Sequence, residues 1–123
     1  MAWALDSERP IYTQILERIQ IDIISGTYKP GEKLPSVRDL AAEAAVNPNT
    51  MQKALSELER TGLVYAQRTS GRYITEDVDL IQDMKKEIAE SQIRDFLEKM
   101  SRLGLNKEDT LKLMEILAKE EDT

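Results

Sequence analysis

The sequence predicts a mainly α (α+β) chain in which a small mixed domain, residues 1–76, is followed by a two-helix unit, residues 77–123. Three observations carry this. Apolar residues recur every three to four positions in five separate segments, the period of a helix with one buried face. A single region around Thr69-Ser70-Gly71 reads instead as two short strands and a turn. From about Asp77 onward Pro disappears, one Gly remains, and long helix-forming polar residues surround the apolar ones. With 123 residues the chain suffices for one domain of average size or a small domain with an appendage.

Trp3 and Leu5 stand in an otherwise polar opening stretch and predict a short arm packed on the domain. Pro10 opens the first helix, where Ile11, Ile15, Leu16, Ile19 and Ile23 share a face, and the helix runs to about Ser25. Gly26 suits a left-handed cap and Pro30-Gly31 a tight turn, which leaves room for only a very short strand at Lys33-Leu34. Ser36 caps a second helix of about nine residues, with Val37, Leu40, Ala41 and Ala44 on its apolar side. After the turn Ala45-Val46-Asn47, with Val46 plugging the corner, Asn47 caps a third helix and Pro48 occupies its first position, where a missing N–H costs nothing. Met51, Ala54, Leu55 and Leu58 face inward there, leaving Asn49, Thr50, Gln52, Lys53 and Ser56 outward. Gly62 ends it, and Leu63 to Arg68 with Arg72-Tyr73-Ile74 form a hairpin.

Two short helices joined by a tight turn and followed by a hairpin are the order of a winged helix-turn-helix, whose second helix reads DNA and whose wing touches the backbone or minor groove. The third helix is accordingly the expected recognition helix. A net charge of −6 looks unfavourable for such a partner, but its distribution differs from its sum. Residues 77–123 carry net −5, whereas residues 33–72 hold six basic side chains against four acidic ones. With no Cys and no His, disulfides, the usual zinc sites, thiol nucleophiles and histidine acid/base chemistry are absent, and no glycine-rich phosphate loop accompanies the 23 carboxylates. No enzyme, metal site or cofactor is expected. No run of about 18 apolar residues could span a membrane and no secretory leader opens the chain, so a cytoplasmic protein without membrane contact is expected.

In the tail, Ile81, Met84, Ile88, Phe96, Leu97, Met100 and Leu103 form a stripe on one long helix, with Ile93 oblique to it. Gly104 and Asn106 interrupt the pattern before a final helix, where Glu108 and Asp109 complement the dipole and Leu111, Leu113, Met114, Ile116 and Leu117 are apolar. Two helices bury such stripes poorly alone. They either fold back on the first domain or pair with a second chain, and the small size of the segment favours a homodimer.

The ordered set Pro10-Ile11-Tyr12, Gly26 to Ala41 with Leu34-Pro35-Ser36-Val37-Arg38 at its centre, Val46-Asn47-Pro48-Asn49-Thr50, Ala54 to Glu59 and Thr61-Gly62-Leu63 resembles the GntR family of transcription regulators. The likeness covers residues 10–76; the following pair of helices matches the short YtrA-like subgroup in size, without a diagnostic motif. The resemblance implies a homodimeric repressor on a palindromic double-stranded DNA operator, one recognition helix per half-site. It places Ser36 and Arg38 close to DNA, and Pro48, Asn49, Thr50, Gln52 and Lys53 at the position of base and phosphate contacts. Thr69, Ser70 and Gly71, flanked by Arg68 and Arg72, correspond to the groove-contacting wing tip. Many longer relatives carry Arg where this chain has Pro48 and Gln52; Gln pairs more naturally with adenine than guanine, and Pro cannot donate. Subgroup members often accompany transporter genes, and longer members carry an effector domain far larger than this tail, so a small-molecule effector would need a site at the dimer interface or against the wing domain.

Each assignment has an alternative in the residues themselves. Arg38 can pair with Asp39 or Glu43, and Arg60 with Glu57 or Glu59. Tyr65 and Tyr73 suit cross-strand packing better than base stacking, and the Met and Phe stripe suits a dimer core better than a ligand box. The competing function is a winged-helix adaptor that binds protein through its acidic tail and no longer needs sequence-specific DNA binding.

Overall fold

A computed structural model describes residues 3–122; Met1 and Ala2 of the expected N-terminal arm, and Thr123, lie outside them. The order of elements is α1 (Ile11–Ile24), α2 (Val37–Ala44), α3 (Pro48–Arg60), β1 (Val64–Gln67), β2 (Gly71–Ile74), α4 (Val78–Arg102) and α5 (Lys107–Glu121). The chain separates into two compact units, one ending at Lys85 and the other beginning at Lys86.

The first unit is the winged helix. Ile15, Ile19 and Ile23 from α1, Leu40 from α2, and Met51, Leu55 and Leu58 from α3 form the centre of one core. Removing each such side chain from water contributes about 1.5–3 kcal/mol. The strands add Val64 and Ile74, which face each other at the open end of an antiparallel pair in the register Val64↔Ile74, Tyr65↔Tyr73, Ala66↔Arg72 and Gln67↔Gly71. Lys33 bridges Tyr73 on the other side of β2, which makes the expected short strand a single bridge. Pro30 and Gly31 turn the chain as expected, with Glu32 N–H donating to the Lys29 carbonyl at 3.0 Å and Gly31 at φ +80°.

The helix-turn-helix corner is closed by backbone hydrogen bonds from Ala45 N–H to Ala42 O (3.3 Å) and from Val46 N–H to Ala41 O (3.0 Å). This is the Schellman arrangement, in which the left-handed position usually belongs to Gly. Here Ala45 occupies it at φ 59°, and Val46 packs against the core as the plug the sequence predicts. The arm is fixed by a side chain the periodicity does not single out. Gln14 Oε1 accepts from Asp6 N–H at 2.7 Å, while Gln14 Nε2 donates to the carbonyls of Asp6 (2.6 Å) and Arg9 (3.1 Å). Trp3 is thereby buried, with the Arg18 guanidinium 4.5 Å from its ring centroid.

Two members of the expected dimerisation stripe are used within the first unit. Ile81 is buried in the winged-helix core and Met84 packs against it, because α4 begins as the last element of that core. The first compact unit accordingly runs past residue 76 to Lys85.

In the second unit, Gly104 at φ +90° ends α4 with the same paired bonds, Gly104 N–H to Ser101 O (2.9 Å) and Leu105 N–H to Met100 O (3.1 Å). Asn106 then caps α5 by accepting from Asp109 N–H at 2.8 Å. Thr110 is the buried residue of α5, its hydroxyl donating to the Asn106 carbonyl. Ile88, Leu97 and Met100 are partly buried, whereas Phe96, Leu103, Leu113 and Leu117 are exposed, as are Ile93, Leu111, Met114 and Ile116. No helix among the described residues is long and apolar enough to cross a membrane.

Candidate nucleic-acid interface

The site is built on the capped start of α3. Asn47 Oδ1 accepts from Asn49 N–H at 2.7 Å with Pro48 beside it, so the chemistry read from the sequence sets the first turn. Because Met51, Ala54, Leu55 and Leu58 are buried, the opposite face is presented outward with no freedom to rotate. Pro48, Asn49, Gln52 and Lys53 are exposed and Thr50 is partly so. The Gln52 amide donates to Ser56 Oγ at 3.3 Å, a long bond between exposed groups that a base edge can replace. Lys53 Nζ lies 3.8 Å from the Tyr12 ring centroid, so a cation–π contact aligns the lysine along α1.

Ser36 Oγ accepts from Asp39 N–H at 3.1 Å and so fixes the start of α2. Arg38, in the first turn after that cap, is exposed. Among the described residues it has no ion-pair partner, so neither Asp39 nor Glu43 neutralises it. Arg68 and Thr69 on the wing are likewise exposed, and Arg68 is unpaired among the described residues. The wing tip is internally braced: the Tyr73 hydroxyl donates to Ser70 Oγ at 3.0 Å, and the Tyr65 and Tyr73 rings stack with centroids 5.9 Å apart. Both tyrosines therefore serve the hairpin, as cross-strand packing predicts. Gly71 stands at φ +114°, a conformation that disfavours any side chain.

Arg72, of the expected DNA-binding set, is paired within the protein. Its side chain is only 18% exposed, and Nε donates to Glu59 Oε1 at 2.5 Å. A guanidinium already committed to a carboxylate on α3 is a brace between the wing and that helix, with its charge neutralised. Arg60, by contrast, pairs with Glu57 at 3.5 Å as the sequence predicts. The pairing of Glu59 with Arg72 joins residues 13 apart across a turn and a strand, and no local spacing announces it.

Perturbed ionisation lies elsewhere in the first unit. Burial raises the Asp22 pKa against the opposing pull of Arg18, with Glu43 adding to the rise. Burial also raises that of Tyr28, reinforced by Glu43, Asp22 and Glu32. These groups belong to α1, α2 and the turn between them.

Comparison with known proteins agrees with this geometry. Residues 11–74 match the family of bacterial regulatory proteins, gntR family. The chain is 39% identical to the uncharacterized HTH-type transcriptional regulator YhcF of Bacillus subtilis over 85% of its own length and 87% of the relative's. It is 48% identical to the HTH-type transcriptional repressor YtrA of the same organism over 58% of this chain and 55% of that one. Among solved structures, a GntR family transcriptional regulator from Listeria monocytogenes superposes with a TM-score of 0.85 at 42% identity, covering 90% of this chain and 97% of that one. The DNA-binding domain of AraR in complex with operator ORX1 superposes with a TM-score of 0.53 at 28% identity, over 61% of this chain and 92% of that one. The capped α3, the braced wing and these likenesses agree: the chain belongs to the gntR family of bacterial regulatory proteins, and is a winged-helix transcriptional regulator and not an enzyme.

Proposed function

We propose that the protein is a homodimeric, sequence-specific repressor that binds a palindromic operator. The observation that carries the reading is the outward face of α3, where Asn49, Thr50 and Gln52 stand exposed beside the unpaired Arg38 and Arg68. The first three are neutral donors and acceptors suited to base edges in the major groove, and the two arginines are suited to phosphate. The likeness to an operator-bound domain and to a repressor supports this direction. Dimerisation falls to the second unit, where the apolar side chains of α4 and α5 that stand exposed in one chain would cover those of another. The pairing holds two recognition helices about one DNA turn apart. Transporter genes are the proposed targets, by the likeness to YtrA-like regulators.

The test is a mobility shift with DNA from upstream of the protein's own gene against excess competitor. The reading requires preference for that DNA and affinity that falls steeply with salt. Equal affinity for competitor, insensitive to salt, would favour the adaptor reading instead.

A further inference from the structure

We propose that Lys33 binds a DNA backbone phosphate in the groove between the wing and the start of α2, a role the sequence gives to Arg72. The assignment rests on the DNA-binding reading above and names one charge within it. The groove, of about 470 Å3, is lined by Lys33, Ser36, Asp39, Ser70, Gly71 and Arg72. Its charges decide what it can hold. Arg72 is neutralised by Glu59, so without Lys33 the groove would present the Asp39 carboxylate unopposed and repel a phosphodiester. Lys33 is exposed and has no ion pair among the described residues, which leaves its charge available.

Its position is set by the fold. The backbone of Lys33 bridges Tyr73, and the next residue donates from Leu34 N–H to the Arg72 carbonyl at 2.9 Å, so the lysine rides on the wing as a third short edge. Its stem lies against the wing tip: a Cβ built on Gly71 would stand 3.3 Å from Lys33 Cε. The absence of a side chain at Gly71 lets the lysine cross there, beside the Ser70 hydroxyl that Tyr73 holds in place. A phosphate in this groove meets the Lys33 ammonium, which offsets Asp39, and the Ser36 hydroxyl, while Ser70 Oγ donates to Gln67 Oε1; the contact is blind to sequence.

The experiment measures affinity of the full chain for a labelled duplex from upstream of its own gene, between about 50 and 200 mM KCl. Lys33→Gln should reduce the slope of log affinity against log salt by about 0.9 for each chain bound. It should also weaken a scrambled duplex by the same factor as the original. Lys112→Gln on α5, whose charge pairs with Glu108, serves as the control and should keep the wild-type slope. Circular dichroism confirms that both variants are folded, as expected for exposed side chains. A salt-dependent wild type with an unchanged Lys33→Gln slope overturns the Lys33 assignment alone, whereas a wild type with no salt-dependent affinity overturns the DNA reading beneath it.

Discussion

Glu59, in the last turn of α3, accepts a hydrogen bond from Arg72 on strand β2, and the pair sits where the arginine side chain is 18% exposed and the glutamate 33%. The wing thus takes its orientation directly from the helix it flanks. Removing either partner leaves the other charge poorly hydrated and unpaired. Arg72→Ala and Glu59→Ala should each destabilise the fold by about 1–3 kcal/mol in urea unfolding, with a coupling of about 0.5–2 kcal/mol in the double-mutant cycle. Strict additivity would show that the pair is incidental.

Arg38 and Gln52 are assigned different kinds of contact, and variants should separate them. Arg38→Ala should weaken binding to all duplexes by a similar factor. Gln52→Ala should relax preference at one base position by about 1–3 kcal/mol while sparing non-specific affinity. Competition assays with a panel of single-base operator variants measure both. Identical profiles for the two proteins would refute the division of roles.

Ala45 adopts the left-handed conformation at the helix-turn-helix corner, and its side chain is exposed. Left-handed backbone costs an L-residue about 1–2 kcal/mol, while Gly adds less than that in unfolded-chain entropy. Ala45→Gly should therefore raise stability by about 0.5–1 kcal/mol, seen as a higher urea midpoint at unchanged slope. A loss of stability would mean that the methyl group does more at the corner than its exposure suggests.

Leu113 and Leu117 are exposed on α5 of the isolated chain, so charging them should leave the winged helix intact. Each leucine buried between two chains would contribute about 1.5–3 kcal/mol. The double variant Leu113→Glu/Leu117→Glu should sediment as a monomer where the wild type is a dimer, and should lose most operator affinity because one half-site is held alone. A variant that stays dimeric would move the interface away from this face of α5.

The sequence determined the five helices, the hairpin and the exposed face of α3, because those depend on interactions within a few residues. Asn47 and Pro48 set the start of a helix, Met51, Ala54, Leu55 and Leu58 choose its buried side, and Asn49, Thr50 and Gln52 are exposed by exclusion. The tertiary structure decided which charges are free. Arg68 and Arg72 look alike on either side of Ser70-Gly71, yet only Arg72 meets a carboxylate, because the pleat and turn of β2 bring it to Glu59 on another element. It also decided which of the apolar tail residues are spent: Ile81 and Phe96 both continue the helical stripe of α4, yet Ile81 is buried in the winged-helix core and Phe96 is exposed. Periodicity fixes the face a residue occupies on its own helix. What stands opposite that face is a property of the packed chain.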